Sequence, residues 1–311
     1  MCSSDLPLDH VFIIGRGMTY LEYRIHPGDS MAEKLNIVPT FGYPGSDNLL
    51  SSVNVNVCIP ETSIGRLSVV TGSEVENYLE KVREYETVQR SASNTVSQRG
   101  WMKNLAQVTG ASDPYLGTIL CNYMGVYKGI AADTSWGANV STFCKLSATN
   151  QDQQNSLLLK QQIEEGISAL TYFGHSSATT LDFNIDNPQN YNNPGKYPVF
   201  FVNGCNAGNF FTYYPQRFIV NETLSEKFVL AKQRGSVAFV ASTHFGIVNY
   251  LNIYLSGLYR DIGGNGYGST LGQINKMAIR DLLAATGPYD FYARTHSERS
   301  EEHTSELQSH H

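Results

Sequence analysis

The sequence predicts an α/β protein built on a mainly parallel sheet, arranged as a three-layer sandwich behind a smaller α/β subdomain. Three short apolar runs, Ala169 to Phe173, Pro198 to Val202 and Val237 to Ala241, have the length of buried strands. The first two lead straight into glycine-flanked polar residues. Helical patterns at Leu224 to Lys232 and Leu271 to Leu283 lie between or after these runs, which is the alternation of a doubly wound sheet.

The elements follow in order. Val11-Phe12-Ile13-Ile14 before Gly15-Arg16-Gly17 predicts a buried strand closed by a glycine turn, while the missing third glycine argues against a dinucleotide site. Val53, Val55 and Val57 alternate with Asn54 and Asn56, as in a half-buried strand. Ile64 to Leu67 precedes a helix over Ser73 to Glu86, where Thr71 and Glu74 have capping-box spacing and Val75, Tyr78, Leu79, Val82 and Tyr85 form an apolar stripe. Arg66 is expected at a strand end, solvated or paired with a carboxylate. The polar stretch Ser91 to Arg99 divides a smaller layer, residues 7–98, from a larger one, residues 99–298. Leu116 to Cys121 reads as a strand, Leu157 to Gly166 as a helix and Asn184 to Lys196 as a surface loop. Gly263 to Gly268 lacks the Lys-Ser/Thr of a phosphate loop and is expected to be a turn.

Both ends, residues 1–6 and 299–311, resemble translated sequencing-adaptor DNA and are set aside as artefact. Of 311 residues, 41% are hydrophobic and 16% charged, a globular composition. The formal charge of −6 and the lack of a Lys/Arg cluster give no electrostatic footprint for nucleic acid. No apolar run reaches the roughly 20 residues of a membrane span. The cysteines form no C-x-x-C pair and are too sparse for a disulfide scaffold, so Cys58, Cys121 and Cys144 are taken as core or incidental. No metal and no cofactor is expected.

Ligands of open α/β sheets bind at the carboxyl ends of the strands. One predicted strand ends in Gly174-His175-Ser176-Ser177 and the next in Asn203-Gly204-Cys205-Asn206-Ala207-Gly208. If the two are parallel neighbours, an imidazole meets a thiol that it can activate. Gly174 and Gly204 permit tight turns, and the amides near Ser176 and Cys205 are candidate oxyanion donors. The alternative for Cys205 is small core filler, and for His175 a structural histidine. His244 is a candidate wall of the substrate pocket. Asp47 and Asp182 are carboxylates able to orient a histidine or bind a basic side chain, with surface or turn roles as the alternative.

Leu170-Thr171-Tyr172-Phe173-Gly174-His175 resembles the strand-Gly-His motif of the gingipain family of cysteine peptidases. Pro198 to Phe210 resembles its strand-Cys motif. Ser46-Asp47, Ile64 to Leu67 with the helix behind it, and Gly235 to Thr243 resemble the segments around them. The resemblance implies a caspase-like fold, Cys205 as nucleophile and His175 as general acid/base. It further implies a polypeptide substrate, export to the cell surface or beyond in a bacterium, and contact with secretion machinery. Structural calcium is the one ion it leaves open. Two departures stand out: Ser176 occupies a position that is usually glycine, and the family's closing Gly-Asp-Pro is absent, so a terminal strand is expected to be missing. Beside the endopeptidase stand two other readings: a sortase-like processing enzyme of type IX secretion, and a catalytically silent binding module.

Overall fold

A computed structural model describes residues 8–42, 44–52, 59–111, 113–145, 150–287 and 289–303. The chain runs through β1 (His10–Ile14), α1 (Tyr20–Arg24), α2 (Ser30–Leu35), β2 (Ser63–Leu67), α3 (Gly72–Ser91), α4 (Val96–Arg99), β3 (Asn104–Gly110), α5 (Pro114–Ala132), β4 (Asn139–Phe143) and α6 (Asn150–Glu165). It continues through β5 (Ala169–Gly174), β6 (Val199–Asn203), α7 (Leu224–Leu230), β7 (Ala238–Ser242), α8 (Val248–Gly263), α9 (Leu271–Thr286), α10 (Phe291–Arg299) and β8 (Ser300–His303).

β1 and β2 form a small parallel sheet. The other six strands form a large one in the order β4-β3-β5-β6-β7-β8, with β8 alone antiparallel. The three apolar runs of the sequence thus become β5, β6 and β7, adjacent and parallel. The alternating stretch Val53 to Val57 and Cys58 lie outside the described residues. β8 comes from the adaptor-like end and occupies the sheet edge beside β7.

Period-two alternation assigns the faces of the large sheet. Leu170, Tyr172, Phe200, Val202 and Phe239 point to one side, where Tyr78 of α3, Leu159 and Ile163 of α6 and Phe228 of α7 cover them. Phe173, Phe201 and Val240 point to the other, under Leu120 and Met124 of α5, Leu255 of α8 and Ile279 of α9. The result is three layers. In the first core the rings of Phe200 and Phe228 lie 4.7 Å apart and both approach Phe239 at 6.0 Å, contacts that add about 0.5–1.5 kcal/mol each beyond their buried area.

Three expectations are corrected. Leu116 to Cys121 is helical, within α5, because Asp113 caps the amides of Tyr115 and Leu116 and Pro114 opens the first turn. Cys121 is not incidental: it forms a disulfide with Cys144 at the end of β4, the two Cα atoms 5.7 Å apart. Arg66 is not a surface group. It is fully buried, and its Nε and Nη2 donate to the two oxygens of Asp47 at 2.5 and 2.7 Å while Nη1 donates to the carbonyls of Gly15 and Val38. The box at α3 forms only in part: Thr71 accepts from the Glu74 amide, but the Glu74 carboxylate turns to the amide of Val70 and to Arg217.

A second buried network joins the small layer to the large one. Glu226 of α7 accepts from Arg16 at 3.3 Å, Arg217 at 2.9 Å, Ser68 at 2.6 Å and Thr223 at 2.6 Å. Burial pushes this carboxyl up, but Arg217 and Arg16, helped by the two hydroxyls, hold it below the ordinary carboxylate value.

Candidate active site

β5 and β6 are hydrogen-bonded neighbours, and their pairing ends at Phe173 opposite Asn203. His175 and Cys205 each lie two residues beyond that pair. Adjacent strands run about 4.8 Å apart, so both residues leave the sheet side by side at its carboxyl edge. His175 is exposed and Cys205 partly exposed, which sets aside the reading of Cys205 as core filler. Cys205 is a free cysteine. The register thus brings a cysteine and a histidine, the residue types that acyl transfer through sulfur uses, to neighbouring turns of one edge.

The two turns are locked to each other. Ser176 Oγ donates to the Cys205 carbonyl at 2.9 Å, so the serine that replaces glycine contributes a cross-turn bond. Neither Gly174 nor Gly204 has a positive φ. They are required by closeness: a Cβ on Gly204 would stand 2.2 Å from Ser176 Oγ and 2.6 Å from the Gly174 carbonyl, and one on Gly174 would stand 2.1 Å from the Gly110 carbonyl. The four oxyanion candidates Gly174, Ser176, Gly204 and Cys205 therefore belong to one tightly packed pair of turns.

The end of β7 and the residues after it hold the thiol side. The amides of Asn206 and Gly208 donate to the carbonyls of His244 and Ser242 at 2.8 and 2.9 Å, and Asn206 takes a left-handed φ of 58° to close the turn. The Gly246 amide donates to Cys205 Sγ at 3.5 Å. The sequence offers no signal for that contact, since Gly246 precedes an ordinary helix start. The His244 ring lies edge-on to Phe245 with centroids 4.5 Å apart, and Phe245 is 63% exposed.

The imidazole side is held from below. The His175 amide donates to the Gly110 carbonyl of β3 at 2.8 Å. Its own carbonyl accepts from the Asp182 amide at 3.0 Å and from the Tyr172 hydroxyl. Burial pushes the Tyr172 phenol well up, so it stays a neutral donor. The Asp182 carboxylate is paired with Lys145 at 2.6 Å, so the cation expected from a substrate side chain is supplied by the chain itself. Asp47, bound to Arg66, is not part of this edge. Among the described residues no three His, Cys, Asp or Glu side chains converge as metal ligands would, and no helix is long and apolar enough to cross a membrane.

The sequence profile of peptidase family C25 matches residues 2–307. Among solved structures, the Arg-specific cysteine proteinase gingipain R (RgpB) superposes with a TM-score of 0.69 at 14% identity, covering 97% of this chain and 64% of that one. The complex of Porphyromonas gingivalis RgpB pro- and mature domains gives 0.69 at 15% identity, covering 98% and 66%. The chain thus spans a little under two thirds of the length of these structures. No curated protein sequence matches it. The fold is the caspase-like α/β sandwich that these gingipains share.

Proposed function

Since the chain belongs to peptidase family C25, we propose that it cleaves polypeptides as a cysteine endopeptidase, with Cys205 as nucleophile and His175 as general acid/base. Cys205 Sγ attacks the scissile carbonyl and forms a tetrahedral adduct, whose oxyanion the amides of Ser176 and Cys205 stabilise. The imidazolium of His175 gives its proton to the departing amine, the C–N bond breaks, and a thioester remains. Water, deprotonated by the now neutral His175, attacks that thioester and releases the acid product and the thiol.

The observation that carries this reading is the shared register of β5 and β6, which brings a partly exposed thiol and an exposed imidazole to one edge. The Gly246 amide supports it by holding the Cys205 sulfur at that edge through a 3.5 Å N–H···S contact. His244 and the exposed Phe245 form a wall of the substrate pocket. The Cys121–Cys144 disulfide fits an oxidising compartment and so favours export from the cytoplasm.

Labelling by an electrophilic peptide probe tests the proposal. The wild-type protein is expected to label at Cys205, and Cys205→Ala and His175→Ala to lose about 10⁴-fold or more of labelling or turnover. A folded wild type that neither labels nor cleaves, with any pro-segment removed, refutes it and leaves the binding-module reading.

A further inference from the structure

We propose that Lys145 is a positioning residue of this active site: its ion pair with Asp182 fixes the turn that presents His175. The inference rests on the peptidase reading above.

Lys145 is not at the reacting edge by sequence. It follows β4, at the far side of the sheet from β6, with β3 and β5 between. Its ammonium nevertheless reaches across to residue 182, donating to the carboxylate at 2.6 Å and to the backbone carbonyl at 3.2 Å. Lys145 and Asp182 side chains are 14% and 25% exposed, so water screens the pair only in part. One cation thus holds both the side chain and the main chain of Asp182.

Asp182 passes that restraint to the histidine. Its amide donates at 3.0 Å to the His175 carbonyl and at 3.0 Å to the Tyr172 hydroxyl, which itself donates to the same carbonyl. An antiparallel bridge between Ser176 and Leu181 closes the turn above these bonds. His175 and Asp182 are therefore the two feet of one hairpin. Lys145 clamps the second foot, and the Gly110 carbonyl takes the amide of the first.

The clamp is itself anchored. The Lys145 amide donates to Thr109 Oγ1 at 3.0 Å, and the preceding residue, Cys144, is bonded through sulfur to Cys121 in α5. A rigid path therefore runs from the helix layer through the disulfide to Lys145, then to Asp182 and the histidine. Orientation of a general acid is a demand of the transition state more than of substrate binding, so loosening this path affects turnover before affinity.

The test is steady-state kinetics of the full-length protein on a peptide substrate, with Lys145→Met, Lys145→Arg, Asp182→Asn and the double variant Lys145→Met/Asp182→Asn. Lys145→Met is expected to lower kcat about 10- to 100-fold with KM within about twofold of wild type, since displacement of a catalytic group costs rate in this range. Lys145→Arg restores most of the loss, and the double variant falls no further than the worse single one. Thermal unfolding at the wild-type temperature in Asp182→Asn or Lys145→Arg separates positioning from misfolding. An active wild type with unchanged kcat in Lys145→Met, or with loss confined to KM, overturns the positioning role alone. A folded but inert wild type overturns the peptidase reading and this role with it.

Discussion

Replacing Cys121 and Cys144 together by serine removes a crosslink between residues 23 apart in sequence. In the chain-entropy treatment, opening a loop of that size returns about 11 cal/mol/K to the unfolded ensemble, or about 3 kcal/mol at 25 °C. Both positions are only partly buried, and serine nearly preserves the volume, so packing adds little. Unfolding of a chain of this length carries an entropy of about 0.6 kcal/mol/K, from which the expected fall in Tm is about 5 °C. Circular dichroism of the oxidised wild type and the double-serine variant, both with their free thiols blocked to stop exchange, reads that shift directly. Titration of the denatured wild type with a thiol reagent supplies the control: at least two of the five cysteines must escape it. Five reactive thiols would show that the bridge is absent, and equal Tm values with two protected thiols would show that the crosslink stabilises nothing.

Other substitutions test the buried charges. Glu226→Gln leaves Arg16 and Arg217 facing a neutral amide and is expected to lower stability at pH 7 by about 3–5 kcal/mol in urea unfolding. Because the folded state holds the Glu226 carboxyl below its unfolded value, its stabilisation is present above that unfolded value and disappears as pH falls through the folded one, so the gap between wild type and variant should narrow in acid. Asp261 has the opposite sign: burial and then the neighbouring Asp281 push it up to about 6, so stability falls as pH rises from the ordinary carboxylate range through that value. Asp261→Asn is therefore expected to unfold at a higher temperature than wild type at pH 8 and at the same temperature near pH 4. An unchanged difference across that range would remove Asp261 from the account.

The legibility of the sequence follows the range of the interactions involved. The histidine and cysteine turns are readable because each is a local signal, an apolar run stopped by glycine and a chemically able side chain, and only their adjacency needs the fold. α5 is misread through its apolar stretch, although Asp113-Pro114 carries a helix start that outranks a short hydrophobic run. β3 leaves no clear pattern because it is covered on both faces and buries Gln107 and Thr109, whose partners Tyr259, Thr142 and Lys145 lie in other elements. The same distance hides the buried arginines: Arg16 and Glu226 are separated by most of the chain, and an arginine read alone is correctly taken for a surface residue. Lys145 and the Cys121–Cys144 bridge depend on the crossover between α5 and β4 and have no local signature.

The pairing of β5 with β6 also sets when the proposed dyad can assemble. His175 and Cys205 follow separate strands, β5 and β6, which are divided by a long asparagine-rich loop. Until the two strands meet, the thiol and the imidazole belong to two separate stretches of chain, 30 residues apart in sequence. On the proposed reading, the dyad exists only once the second strand has zipped onto the first.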